Sequence, residues 1–232
     1  MKIRKDLKKL SSPKIAKKSQ YYFKTKKGQY SYGDIFIGVK SADLRSLAKT
    51  NTDLSITDTK ILLKSKIHEE RALALLILVY KYKSSNDDIE HQKIFNFYTK
   101  HFKYINNWDL VDCSSPHIVG IHLMNRNREV LYTWIQSEHL WTRRIAMLAN
   151  WWFVRKGDLK DVFKMAKILL NDEHDLMHKA VGWMLREAGK KDNKKLTTFL
   201  KSNYKSMPRT MLRYSIEKFP ENLRQKYLKG KI

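Results

Sequence analysis

The sequence is poor in the residues that build disulfide-linked, zinc-bound and sheet-rich proteins. Its 232 residues include one cysteine, Cys113, which excludes a disulfide framework and a cysteine-based zinc finger. Eight glycines and four prolines are few, and favour long helices over a turn-rich β protein. The longest apolar run, residues 72–80, is far shorter than the roughly 18 residues that span a membrane. A hydrophobic content of 42% is nevertheless too high for a disordered chain.

Acidic residues are also scarce: 47 Lys and Arg stand against 23 Asp and Glu, a formal net charge of +24. Residues 1–27 hold eleven basic residues and one acid, and residues 186–232 hold fourteen and four. A solvated lysine-rich face would explain either stretch alone. Two strongly basic ends favour a polyanionic partner, with nucleic acid first, and an affinity that falls steeply with salt. No segment is dominated by the amphipathy of a helix lying on a membrane.

Apolar residues recur at helical spacing along most of the chain. The clearest windows are 67–83, 110–124, 139–156 and 176–190. Helix starts are indicated at Ser55, at residues 86–88, at Asp172 and at Pro208, and helix ends are indicated by Gly157, Gly189 and Pro220. Residues 29–39 could hold a short extended piece, but no strand pair is apparent. The sequence therefore predicts an all-α fold.

A weak internal repeat underlies these helices. Arg71, Trp108, Arg144 and Lys179 fall at intervals of 37, 36 and 35 residues, and Arg209 restarts the pattern after 30 more. A period in the upper thirties is typical of HEAT-like helical hairpins stacked into a curved α-solenoid, although any all-α chain contains some such spacings. We predict a single α-solenoid domain over residues 1–232, with residues 1–11 as a flexible basic arm.

The repeat points four residues from three units toward one patch. Trp108 and Asp112 are four residues apart on one helix. Arg144 takes the position of Trp108 in the next unit. In the unit after that, Lys179 takes the same position and Trp183 lies four residues further on. A single tryptophan in such a stripe is more often core. A carboxylate such as Asp112 in an apolar helix is costly unless it is paired, caps a helix or lies in a cleft. The structural alternatives for Asp112 are an ion pair with Arg143 or Arg144 and a cap at the end of a helix.

Other chemistries have weaker signals. His174 and His178 share a helix face but lack a third ligand, so we predict solvated histidines and no metal. Cys113 lies within an apolar helix, which favours a small buried residue over a nucleophile. No phosphate-cradling glycine loop is present, so an NTPase is disfavoured and no cofactor is expected.

Five ordered motifs, from about residue 12 to the C-terminus, resemble one family. They are YFKT (22–25) with FIGV (36–39), NNWDLVD (106–112), LWTRRIAM (140–147), HKAVGWMLRE (178–187) and MPRTMLRYSIEKFP (207–220). Together they resemble the AlkD-type DNA alkylation repair family, which is typified by a HEAT-like-repeat alkylpurine DNA glycosylase and includes homologues that keep the fold without the activity. The resemblance implies a site made of Trp108, Asp112, Arg144 and Trp183, with Tyr22, or alternatively Tyr21, as a further aromatic. It also implies hydrolysis of the N-glycosidic bond of cationic alkylpurines, without flipping the base into a deep pocket.

Basic residues beside this site are expected to hold the DNA backbone. The predicted DNA-binding residues are Tyr21, Tyr22, Lys24, Arg143, Lys179, Arg209 and Arg213. The expected partner is double-stranded DNA with alkylated purines, bound by a cytoplasmic, nucleoid-associated monomer with no membrane and no obligate protein partner. A non-catalytic HEAT-repeat nucleic-acid binder and a protein–protein scaffold are the alternatives.

Overall fold

The computed structural model describes all 232 residues and contains fourteen α-helices, so the predicted all-α class is confirmed. The helices form two compact units, Met1–Ile118 and Val119–Ile232, and the single domain expected over residues 1–232 stays a prediction. The first unit contains α1 (Lys2–Lys9), α2 (Pro13–Tyr22), α3 (Ser41–Lys49), α4 (Ile56–Leu63), α5 (His68–Ser84), α6 (Asp88–Thr99) and α7 (Trp108–Ser115). The second contains α8 (Glu129–Trp134), α9 (Leu140–Arg155), α10 (Lys160–Ile168), α11 (Asp175–Lys191), α12 (Asn193–Asn203), α13 (Arg209–Ser215) and α14 (Glu221–Leu228).

Helix α5 is the core of the first unit and packs against α3, α4, α6 and α7. Residues 72–79 are all buried, because this helix is apolar around its whole circumference. Its first four residues are polar and are buried as well. Glu69 among them accepts hydrogen bonds from the backbone N–H groups of residues 37–39, which fastens the preceding loop to the helix. That loop supplies the one extended contact, an isolated bridge between Ile35 and Ile67.

The N-terminal segment differs from the expected flexible arm. Residues 2–9 form α1, which buries Ile3 and Leu7. Arg4 on the same helix donates to the Glu70 carboxylate, with Nη2 and Oε2 2.7 Å apart. Ile3 and Leu7 are four residues apart and give α1 an apolar face that packs against the protein. The many lysines around them make this face hard to recognise in the sequence.

Helix α11 is the centre of the second unit and packs against α9, α10, α12 and α13. Gly189 does not end it as predicted, since the helix continues to Lys191 and Gly189 instead gives room to the side chain of Leu196. The helix begins at Asp175, with His174 as its N-cap rather than Asp172. The predicted helix over 110–124 is also interrupted, because α7 ends at Ser115 and a π turn follows at Pro116–Gly120.

The repeat is better described by where the helices begin. Asp112, Arg144, Lys179 and Arg213 are each the fifth residue of their helix, whereas Trp108 is the first residue of α7. The predicted equivalence of Trp108 with Arg144 is therefore shifted by one turn. The fourth residues of α5, α9 and α11 share a further feature, because each side chain bonds to the backbone carbonyl six residues before it; the pairs are Arg71–Ser65, Arg143–Ser137 and His178–Asp172. No helix is long and apolar enough to cross a membrane.

Candidate nucleic-acid site

Helix α7 places Trp108 and Asp112 on one face, as their spacing predicts. Asn107 caps the helix, because its side-chain oxygen accepts from the Trp108 backbone N–H at 2.8 Å. The Asn107 amide is fully buried and donates to the Ser31 hydroxyl at 2.6 Å. The first turn of α7 is thus held against the loop of residues 29–39, and Asp112, which is partly exposed, lies one turn along.

The Trp108 ring is partly exposed and is fixed by three neighbouring side chains rather than buried in the core. It stacks on Phe23 with ring centroids 5.3 Å apart, and meets Tyr22 edge-on at 5.9 Å. Its indole N–H donates to the Tyr30 hydroxyl at 3.2 Å. The side chain therefore presents an aromatic surface in one orientation.

A largely buried charged cluster includes Asp109, the residue after Trp108, and we name its four residues, His68, Asp34, Arg71 and Asp109, the His68 cluster. His68 Nδ1 lies 3.2 Å from Asp34 Oδ2, and His68 Nε2 lies 2.8 Å from Asp109 Oδ2. Arg71 donates to the same Asp34 oxygen at 2.7 Å. Burial lowers the pKa of His68, but the charge of Asp109 and the hydrogen bonds to both carboxylates outweigh it and raise the pKa to about 9.

The His68 cluster could not be predicted from sequence spacing. Its partners lie 34 and 41 residues from His68 along the chain, so no spacing rule connects them. One signal was available: the polar residues 68–71 directly precede the most apolar run in the protein. A helix that begins with four polar residues and then enters the core needs partners for them.

Tyr21, Tyr22 and Lys24 line an open cleft of about 600 Å³, which we call the Tyr21 cleft; the other lining residues are Lys17, Gln20, Thr25, Lys26 and Gln29. The Tyr21 side chain is 83% exposed and that of Tyr22 is 65% exposed. Exposed aromatic faces among lysines are typical of surfaces that bind nucleic acid. Three of the predicted DNA-binding residues therefore share one surface.

Lys24 has a left-handed backbone, with φ of 56°, and is the one non-glycine residue with positive φ. It follows α2, where its N–H donates to the Tyr21 carbonyl and the Thr25 N–H donates to the Gln20 carbonyl, both at 3.2 Å. This pair of bonds is the Schellman arrangement, in which glycine usually takes the left-handed position. A lysine here puts a cation at the end of α2 at the expense of some backbone strain.

In the second unit the predicted residues differ in what they contact. Arg144 is 4% exposed, and its Nη1 donates to the Leu176 carbonyl at 2.6 Å, at the start of α11. Trp183 is partly exposed on α11. Lys179 pairs with Asp175 at 2.6 Å on the same helix. The grouping of Arg144 and Trp183 with Trp108 and Asp112 in one patch stays a prediction.

The remaining predicted DNA contacts are three arginines, which differ in exposure and in their hydrogen bonds within the protein. The Arg143 guanidinium donates to Asp172 at 2.7 Å and to two backbone carbonyls at 2.8 Å, which favours a structural role. Arg209 is exposed, and its Nη1 donates to the Leu228 carbonyl at 2.5 Å. Arg213 is exposed on α13 and is better placed for a phosphate than Arg143.

The two histidines considered as a metal face both bind the start of α11. His174 Nδ1 accepts from the Leu176 N–H at 3.1 Å, and His178 Nε2 donates to the Asp172 carbonyl. No group of three or more His, Cys, Asp or Glu side chains is arranged to hold a metal ion. Burial raises the pKa of the Cys113 thiol far above its ordinary value, so this thiol is not an activated nucleophile.

Comparison with known proteins identifies the family. The family model described as DNA alkylation repair enzyme matches residues 3–219. A solved structure described as a predicted DNA alkylation repair enzyme from Enterococcus faecalis is similar at a TM-score of 0.70 and 16% identity, covering 91% of this chain and 97% of that one. AlkD2 from Streptococcus mutans is similar at a TM-score of 0.56 and 16% identity, covering 95% and 96% of the two chains. No curated protein matches significantly. These matches confirm the resemblance drawn from the motifs, and the chain belongs to the DNA alkylation repair enzyme family.

Proposed function

We propose that this protein hydrolyses the N-glycosidic bond of cationic alkylated purines in duplex DNA. The observation that carries the proposal is the pairing on α7 of a fixed, partly exposed Trp108 ring with the Asp112 carboxylate one turn away. Membership of the DNA alkylation repair family supports a role on damaged DNA. The lysines and tyrosines of the Tyr21 cleft support contact with its backbone and bases.

The charge of the substrate explains why one carboxylate suffices. A purine alkylated at ring nitrogen 3 or 7 is positively charged and departs as a neutral base, so its release needs little help from a general acid. The reaction needs an anion beside the developing oxocarbenium sugar and an acceptor for the attacking water. Asp112 is assigned both tasks.

The aromatic and basic residues are assigned to binding. Trp108 and Trp183 hold the cationic nucleotide through attraction between its charge and their ring faces. Arg144 is assigned to a phosphate; because it is 4% exposed and its Nη1 donates to the Leu176 carbonyl, this contact requires its other N–H groups to reach the backbone of the DNA. An open aromatic surface suits a lesion that stays in the duplex while the protein grips the backbone.

Base release by Asp112→Asn tests the proposal. The substitution keeps the side chain's size but removes the anion, so single-turnover release from methylated duplex DNA should fall by about 10²-fold or more. Asp53→Asn is the matched control, because Asp53 is exposed and its loss changes the net charge equally. The control should cleave at the wild-type rate. Neutral uracil should not be released by any variant.

Two results would overturn the proposal. Cleavage by Asp112→Asn at the wild-type rate would remove Asp112 from the mechanism. Binding of methylated DNA by the wild-type protein without base release would make the non-catalytic binder the correct description.

A further inference from the structure

His68 is held between two carboxylates. It is 2% exposed, and each ring nitrogen faces a carboxylate oxygen, one from Asp34 and one from Asp109. An ionised carboxylate can only accept hydrogen bonds, so both ring nitrogens donate and the ring is an imidazolium. With Arg71 on Asp34, the cluster contains two cations and two anions and is electrically balanced.

A cluster of aromatic rings connects this imidazolium to Trp108. The His68 ring stacks on Phe36 with centroids 4.5 Å apart, and Phe36 stacks on Phe23 at 4.9 Å. Phe23 in turn stacks on Trp108 at 5.3 Å. The His68 ring also contacts Phe23 directly, with centroids 5.1 Å apart, so the His68, Phe36 and Phe23 rings touch one another and Phe23 carries the contact on to the partly exposed indole.

His68 also reaches Trp108 through the backbone. Asp109, which accepts from His68 Nε2, is the residue next to Trp108 in the first turn of α7. The ring cluster fixes the face of the indole, and Asp109 fixes the turn of helix that carries it. Asp112 lies on the same short helix, so its position depends on the same contact.

We propose that His68 is a positioning residue, whose imidazolium sets the orientation of Trp108 and of the first turn of α7 for base release. The inference rests on the proposed function. His68 contacts Trp108 only through Phe36, Phe23 and Asp109, so its effect is exerted through the aromatic side chain and the helix rather than on the lesion.

The direction of the pH dependence follows from the charges that face His68. These are Asp34 from the loop, Arg71 from α5 and Asp109 from α7. Because the pKa is raised from 6.5 to about 9, the stabilisation from the imidazolium is complete below pH 6.5 and disappears as the pH rises through about 9. Above that value one ring nitrogen faces a carboxylate without a proton, and α7 loosens.

Single-turnover base release against pH, corrected for spontaneous depurination, tests the proposal in His68→Gln. His101→Gln is the control, because His101 is also buried and stacks on an aromatic, Phe97. Wild type and control should lose activity near pH 9. His68→Gln should lack this alkaline fall and be about tenfold to a hundredfold slower throughout, because misplaced reacting groups cost rates of that order. An unchanged alkaline fall in His68→Gln would overturn the proposal.

A second measurement does not depend on activity. The Trp108 fluorescence, taken as the difference between each form and its Trp108→Phe counterpart, should titrate near pH 9 in wild type and be flat there in His68→Gln. If wild type releases no base, the proposed function fails while this titration still decides the positioning role. If His68→Gln does not fold, Asp109→Asn replaces it, and its fluorescence midpoint should move to lower pH. An unmoved midpoint would overturn the proposal.

Discussion

At the scale of single residues, Arg143 and Arg213 show why a basic residue is not by itself a DNA contact. Arg143 uses its guanidinium on Asp172, whose side chain is 4% exposed, and on two carbonyls. Arg213 is exposed on the fifth position of α13. The planar guanidinium of Arg143 donates to a carboxylate and two carbonyls at once, which suits a role in holding these segments together.

We expect Arg143→Ala to destabilise the protein by about 3 kcal/mol, since it leaves a buried carboxylate without its partner. Arg213→Ala should melt like wild type and bind DNA more weakly. Thermal melts and DNA binding at one fixed salt concentration measure both effects. If Arg143→Ala melts like wild type but binds DNA weakly, the structural role is wrong and Arg143 contacts DNA.

Sequence reasoning found the residues whose roles are local and missed those whose roles are not. Trp108 and Asp112 share a helix face because of their spacing alone, and the structure places them so. The partners of His68 depend on how a loop and α7 fold against α5, which no periodicity encodes. Lys24 gave no sign of its left-handed backbone, because the signal for such a position is a glycine.

At the scale of helices, two predicted helix limits were wrong because the sequence does not show what packs against each helix. Gly189 looks like a helix end, but its missing side chain makes room for Leu196 from α12. The apolar window 110–124 predicts one continuous helix, but it contains Pro116, and α7 ends directly before that proline. Both outcomes depend on what packs against the helix, whereas the class and approximate limits of α5, α9 and α11 follow from periodicity.

Gly182 lies where α11 and α13 approach each other closely. A methyl group there would lie 2.5 Å from Tyr214 Cβ and 2.6 Å from the Met211 carbonyl oxygen. We expect Gly182→Ala to cost about 1–3 kcal/mol of stability, because the helices must separate. Gly189→Ala on the same helix should cost less, since the group that must move is the terminal methyl of Leu196 rather than backbone, and alanine favours the helix. Denaturant unfolding compares them, and equal midpoints would contradict this account.

At the scale of the whole molecule, we expect the charge of +24 to govern the affinity for DNA. The logarithm of the affinity should fall linearly with the logarithm of the salt concentration, with a slope of several units, because lysines and arginines that neutralise phosphates release counterions. Truncation of the N-terminus would confuse the measurement, since α1 buries Ile3 and Leu7. Exposed lysines of α1 give a cleaner test.

The triple substitution of Lys2, Lys5 and Lys8 by Gln should weaken binding to every DNA sequence equally and reduce the slope by about 0.9 for each phosphate that is no longer neutralised. These side chains are exposed, so the melting temperature should be unchanged. Fluorescence anisotropy across a salt series measures the slope. An unaltered slope would show that α1 does not touch DNA.

The balance of charge in the His68 cluster has a consequence for how the protein can change over generations. Its two cations and two anions should be inherited as a set, because removal of any one leaves an uncompensated charge in the cluster. A single substitution at any of these four positions should therefore lower the stability of the protein. A second substitution that restores the balance of charge should give a double variant that loses less stability than the two single variants together. Related chains should keep all four residues or exchange several together. A lineage that gave up the cluster as a whole could retain its helices yet lose the fixed Trp108 ring.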